Sequence, residues 1–218
     1  MKDVAGTELS ELELDALTEL VNLGVSRAAA SLREMVGEQV HLSAPSVELV
    51  SRDAAIRLLA GADSEWLVAG HQVFEGDLAG RALLIFPETR SLELVRAVTG
   101  GDLPLEDIIE LEQEALAETG NIILNGCLAT IANQLNRTLR ISLPEILHGD
   151  SEKLFALSPS RDGEDSVLFV YITFSVHDRD IGGYIALFMD MPSMEALAAL
   201  LRSYIDRTAS GEGLVADV

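Results

Sequence analysis

The sequence predicts an α+β fold made by internal duplication: a mainly antiparallel sheet of about six strands, packed with two long helices and related across a pseudo-twofold axis. Three observations predict it. Glu19, Asn22 and Pro45 recur as Glu118, Asn121 and Pro144 at a fixed offset of about 99 residues. The elements around them follow one order in both halves. Each half offers about three extended segments, and a lone hairpin would leave open edges unless the halves pair. The chain therefore reads as a single domain of two repeats, about residues 10–100 and 105–207.

From Ser10 to Gly37, Leu17, Leu20, Val21, Gly24, Ala28, Leu32 and Met35 recur at helical spacing, and Gly37 is a stop signal. Val40 to Val50 alternates and contains Pro45, which predicts one extended segment. Ser51 can cap a short helix through Leu59, because its hydroxyl accepts from a first-turn amide. Strands follow at Glu65 to Val73 and Leu78 to Phe86, joined at Glu75-Gly76-Asp77, and Ser91 caps a helix to Thr99. Gly100-Gly101 closes the half.

The second half predicts a helix from Leu105 to Leu139, an extended segment at Ile141 to Leu147, and a short helix near Lys153. Strands at Val167 to Val176 and Gly183 to Asp190 and a helix from Ser193 to Arg207 complete it. Gly80, Phe86 and Ser91 match Gly182, Phe188 and Ser193 at a slightly larger offset, which predicts a small insertion in the loop around Pro159 to Asp165. Ala209 to Val218 lacks a core-forming pattern and reads as a frayed tail.

With 218 residues, 48% of them hydrophobic, the chain can bury a substantial core. Its 36 acidic side chains against 15 basic ones give a net charge of -21, which repels phosphodiester backbones and anionic headgroups. Nucleic acid and membrane surfaces are poor partners for it. An acidic surface that keeps an apolar protein soluble explains the charge equally well. Cys127 is the only cysteine, so an intrachain disulfide is excluded, and its apolar helical setting predicts a buried structural thiol.

Lys2, Asp3, Glu8, Glu11 and Glu13 lack the order of a signal peptide, and no apolar run approaches the ~20 residues of a membrane helix. The expectation is a cytoplasmic protein. His41, His71, His148 and His177 show no ligand spacing, so no metal site is expected. Gly80 and Gly182-Gly183 are not followed by Lys-Ser, which excludes a phosphate loop of that kind. Trp66 opens a strand and is expected to pack there.

On a helix Asp15, Glu19 and Asn22 fall within an arc of about 60°, opposite Leu17, Leu20, Gly24 and Ala28. Glu114, Glu118 and Asn121 hold the equivalent arc, flanked by Ile122 and Leu128, a mixed surface suited to docking another protein. A single Glu and Asn three apart is ordinarily a solvated face; duplication with the same distant proline argues for more. Without a histidine or hydroxyl partner these groups make no nucleophilic triad. An amide can hold a water through one donor and one acceptor contact, and a carboxylate can pair with a partner's lysine. That set suits alignment of water against an activated phosphoryl group.

At Asp15-x3-Glu19-x2-Asn22-x22-Pro45 and Glu118-x2-Asn121-x22-Pro144 the sequence resembles the CheC/CheX/FliY family of chemotaxis phosphatases. Two copies in one chain are similar to its CheC branch, CheX carrying one per subunit. The resemblance implies a hydrolase of two-component signal transduction, a protein phosphatase that removes the aspartyl phosphate of a CheY-type response regulator. It implies that Glu19 and Glu118 bind the receiver's lysine and that Asn22 and Asn121 align water. Asp15, Glu114 and Leu128 then belong to the partner-binding surface, and Pro45 and Pro144 shape the segment after each helix. No cofactor is expected on this chain, magnesium arriving with the receiver. Glu114 departs from the family's Asp or Ser. Two rival readings remain, a noncatalytic receiver-binding module such as FliM, similar in fold but without the paired Glu and Asn, and an adaptor for the receptor deamidase CheD.

Overall fold

A computed structural model describes residues 9–37, 39–44, 46–60, 66–99, 105–156, 166–176 and 179–210. Pro45, Glu65, Gly100-Gly101, the loop around Pro159 to Asp165, His177 and residues 211–218 lie outside the described residues. The first half comprises α1 (Glu11–Val36), β1 (Val40–Ser43), β2 (Val47–Ser51), α2 (Arg52–Ala60), β3 (Leu67–Gly76), β4 (Gly80–Pro87) and α3 (Glu88–Thr99). The second comprises α4 (Leu105–Gln134), β5 (Leu139–Ile141), β6 (Glu145–Gly149), α5 (Ser151–Ala156), β7 (Ser166–Val176), β8 (Arg179–Met189) and α6 (Met191–Ala209).

Local chemistry sets the ends of these helices. Ser10 and Glu13 form a reciprocal capping box at the start of α1, and Gly37 ends it at φ 76, a left-handed conformation that costs glycine little. The Ser51 hydroxyl accepts from the Ala54 N–H at 3.2 Å, as its sequence position predicts. Ser91 departs from expectation. It lies inside α3, and its hydroxyl oxygen is 2.8 Å from both the Glu88 carbonyl oxygen and Glu112 Oε1 of α4, which share its one proton. Asp190 caps α6 by accepting from the Ser193 N–H at 2.9 Å.

All strands join one antiparallel sheet in the order β1-β7-β8-β4-β3-β5, with β2 also on β7 and β6 also on β3. The order is palindromic, and the halves exchange strands: β1 and β2 lie along β7, while β5 and β6 lie along β3. Neither half closes a sheet alone. The described residues form eight strands rather than about six, because each predicted edge segment is two strands in line. The second break falls at Ser142–Pro144, where proline has no N–H for a ladder.

The registers also revise how the halves correspond. Val40 faces Val176 and Leu139 faces Gly76, which makes Gln72 of β3 the counterpart of Ile172 of β7. Carried through the two hairpins, the same registers pair Phe86 with Leu187, not with the Phe188 that the sequence match suggested. Face alternation agrees. Phe86 and Leu187 lie in the core under α1, α3, α4 and α6, whereas Phe188 lies in the smaller core under α2 and α5.

Helix α1 crosses α4 with almost no space between them. A Cβ on Gly24 would come within 2.6 Å of the Cys127 Cα, and one on Gly126 within 3.0 Å of the Ala28 Cβ. By length and mean hydropathy, 1.2 over Leu111–Gln134, α4 is apolar enough to cross a membrane, contrary to the sequence expectation. Its buried side chains, including Leu116, Ile123, Leu124, Cys127 and Ile131, instead belong to the main core. Burial pushes the Cys127 thiol up to about 12, so it stays protonated and inert at neutral pH.

Candidate functional site

The first candidate site grows from the exposed side of α1. Asp15 and Glu19 are exposed and Asn22 is half-buried one turn on. The Asn22 Oδ1 accepts from the Ala44 N–H at 3.2 Å. A turn earlier, the Thr18 hydroxyl donates to the Leu14 carbonyl at 2.8 Å and accepts from the Val47 N–H at 3.1 Å. Two α1 side chains thus hold Ala44 and Val47, and the Asn-to-Pro spacing gains a physical meaning: the asparagine seats the residue that precedes the proline in sequence. A main-chain N–H can only donate, so the amide's orientation is fixed, oxygen inward and nitrogen outward.

The second site uses the same residue differently. Glu114 and Glu118 are exposed on α4 and Asn121 is half-buried. The Asn121 Oδ1 accepts from Gln72 Nε2 at 3.0 Å and from Asn125 Nδ2 at 2.7 Å. Gln72, with no exposed surface, also donates from Nε2 to the Ser142 carbonyl at 2.9 Å. Ser142 is in turn clamped to β3, donating its N–H to the Val73 carbonyl at 2.8 Å and accepting from the Val73 N–H at 3.0 Å. A side-chain amide from the sheet therefore bridges Asn121 to the segment before Pro144. Ala117 occupies the place of Thr18 and offers no hydroxyl, and Leu143, in the place of fully buried Ala44, is 85% exposed.

Amide chemistry follows from these partners. A carbonyl oxygen has two lone pairs. Asn22 uses one on Ala44; Asn121 uses both, on Gln72 and Asn125. The expected pairing of one donor and one acceptor contact to water thus fits only the first site. At the second, the amide presents donors alone. Neither Nδ2 has a protein acceptor among the described residues, and neither is sealed from solvent.

Beside Asn121 an open cleft of ≈ 340 Å³ runs between the two long helices, lined by Arg27, Ala28 and Ser31 of α1 and by Asn121, Ile122 and Asn125 of α4. Arg27 reaches across to donate to the Thr130 hydroxyl of α4 at 3.2 Å, which sets a cation beside an otherwise acidic face. Its counterpart in the repeat is Gly126, so the cation has no partner by symmetry.

A further sequence expectation is overturned. Leu128, assigned to the partner surface, is 3% exposed and belongs to the main core, because it lies on the side of α4 turned toward α1 and the sheet. Asp15, Glu19, Glu114 and Glu118 are exposed as their arcs predict, and Pro144 is half-buried. Trp66 is 55% exposed just before β3. The sequence reading missed Thr18, Gln72, Asn125 and Arg27. A signal for Gln72 existed, since it is a lone uncharged polar residue on the helix-facing side of a strand that otherwise presents Val68, Gly70 and Phe74 there.

No group of three or more His, Cys, Asp or Glu side chains suited to a metal occurs among the described residues. His71 lies on the opposite face of the sheet from Gln72, 3.6 Å from Glu145. Burial and the nearby Arg81 hold its pKa below the usual histidine value, partly offset by Glu145.

No protein-family model matches the chain. It is 27% identical over 205 residues to the CheY-P phosphatase CheC of Bacillus subtilis, covering 88% of this chain and 95% of that protein. It is 23% identical over 141 residues to the flagellar motor switch phosphatase FliY of Bacillus subtilis, covering 64% of this chain and 36% of that one. Among solved structures, FliY of Thermotoga maritima shares the fold at a TM-score of 0.70 and 18% identity, over 92% of this chain and 99% of that chain. With the duplicated helices and the strand exchange already in place, these likenesses support the CheC/CheX/FliY family for this chain, and the Thermotoga structure shows that it shares that fold.

Proposed function

We propose that the chain is a protein phosphatase that hydrolyses the aspartyl phosphate of a CheY-type receiver domain. The observation that carries the reading is the pair of half-buried asparagines, each with its amide oxygen fixed by its own chain and its NH2 left for a visitor. Each NH2 donates to the oxygen of an incoming water, leaving a lone pair to attack phosphorus opposite the aspartyl oxygen. Phosphoryl transfer depends on alignment and electrostatics more than on covalent help, so a fixed donor suffices. Glu19 and Glu118, exposed one turn before each asparagine, pair with the receiver's lysine. Magnesium comes with the receiver.

The name of the Bacillus CheC relative supports the substrate class, that of FliY supports phosphatase activity, and the exposed acidic arcs support docking to a basic group. The test is the rate of phosphate loss from phosphorylated receiver domains with magnesium, with and without this chain. Acceleration is expected, together with a raised KM and little change in kcat for Glu19→Ala/Glu118→Ala. Receiver binding without any acceleration would leave a docking module instead.

A further inference from the structure

We infer that Gln72 is a positioning residue for Asn121, and that the second site works as a donor-only amide held from the sheet; this rests on the reading of the asparagines as water-aligning groups. Gln72 belongs to β3, distant in sequence from both the helix and the proline segment that it joins. It has no exposed surface and directs both Nε2 donors to the site, one to the Asn121 Oδ1 at 3.0 Å and one to the Ser142 carbonyl at 2.9 Å. The Ser142 carbonyl can only accept, so this bond fixes which end of the Gln72 amide is nitrogen, and that in turn fixes the Asn121 oxygen inward.

The arrangement is costly, which argues for a purpose beyond packing. The Gln72 Oε1 and the Asn125 Oδ1 are both buried with no hydrogen-bond partner among the described residues, a price normally avoided in a core. Register gives Gln72 the place that Ile172 holds in the other half, where an aliphatic side chain fills the same helix-facing position. The first site needs no such group, because the Ala44 N–H performs the task from the main chain. Asn125, one turn after Asn121, fills the second lone pair at 2.7 Å and completes the lock.

The experiment silences the first site with Asn22→Asp, which keeps the acceptor for Ala44 but removes the NH2, and then adds Gln72→Met, close in shape but without donors. In single-turnover assays on a phosphorylated receiver, kcat should fall about tenfold or more with KM within about twofold, because a loosened amide misaligns water without altering docking. The same substitution in an Asn121→Asp protein reports any damage transmitted through the fold. Unchanged kcat in the first background, or equal losses in both, overturns the inference. Asn125→Ala, half-buried and gentler on the core, should give a smaller loss confined to the same background. Relaxation of the Asn121 side-chain NH2 by NMR is independent of activity: it should be rigid in the parent and mobile with Gln72→Met. Should the Asn22→Asp protein hydrolyse nothing at its second site, the functional reading of that site fails, while this NMR comparison still decides whether Gln72 holds the amide.

Discussion

The two halves present the same acid and amide on the same helical face, yet the first holds its asparagine with main chain and the second with side chains. In the first, Ala44 and Val47 donate directly to Asn22 and Thr18. In the second, Gln72 and Asn125 do the holding, and Leu143 is released to solvent. What duplication preserves is the orientation of one amide, not the contacts that produce it. The first site is built into the chain's path; the second depends on two residues that can be replaced without breaking the backbone.

The largest effect tests the scaffold that the two sites share. Gly24→Val should destabilise the protein by ~3 kcal/mol or more in urea unfolding, because the new Cβ meets the Cys127 main chain where nothing flexible can yield. Gly120→Ala, whose Cβ would meet Gly70 at an ordinary 3.7 Å, should change stability little. Similar values for both would remove the close helix crossing as the constraint on how the halves pack.

A smaller effect separates the sites. Asn22→Ala leaves the N–H of fully buried Ala44 without a partner and should cost about 1–3 kcal/mol. Asn121→Ala leaves Gln72 its bond to Ser142 and should cost less, about 1 kcal/mol. Equal or reversed costs would contradict the difference in how the two amides are held. Thr18→Val should add its own loss of about 1 kcal/mol through Val47, an interaction that the second half lacks at Ala117.

The smallest effect concerns the start of α1. Burial raises the Glu13 carboxyl pKa, but hydrogen bonds from Ser10 and the Arg202 guanidinium at 2.7 Å outweigh it and hold the value below the usual carboxylate range. A depressed folded-state pKa contributes stability above the unfolded value, and that contribution fades as pH falls through the folded one. Glu13→Gln should therefore be less stable than the parent near neutrality, and the gap should close below about pH 4. A gap that persists in acid would mean that the carboxylate charge contributes nothing there.

Much of the fold was legible because duplication doubles every signal: helical periodicity around Leu17 and Leu20 is repeated around Leu116 and Ile123, and both hairpins alternate. Strand exchange was foreseen only as pairing between halves, since sequence period fixes faces and not neighbours. The phenylalanine match failed for a related reason. One residue of slip in each connection moves a side chain to the other face, and similarity at Phe86 and Phe188 could not reveal it. At the candidate site, the outward placement of Glu19 and Glu118, each with its asparagine one turn on, could be read from spacing, but Leu128 was misplaced because helical arcs blur at their margins. The sequence marks Gln72 only as a lone polar residue on the helix-facing side of its strand; its role was out of reach because its partners are far from it in sequence and meet it only once β3 lies beneath α4.

The most direct test is phosphate release from a phosphorylated receiver by the Asn22→Asp/Asn121→Asp protein. Aspartate keeps the acceptor that Ala44, Gln72 and Asn125 require, so the fold is retained while both NH2 groups are lost. The account predicts unchanged unfolding and receiver binding, with hydrolysis reduced on the order of a hundredfold to the receiver's own rate. Hydrolysis at the parent rate from that folded double variant would contradict it.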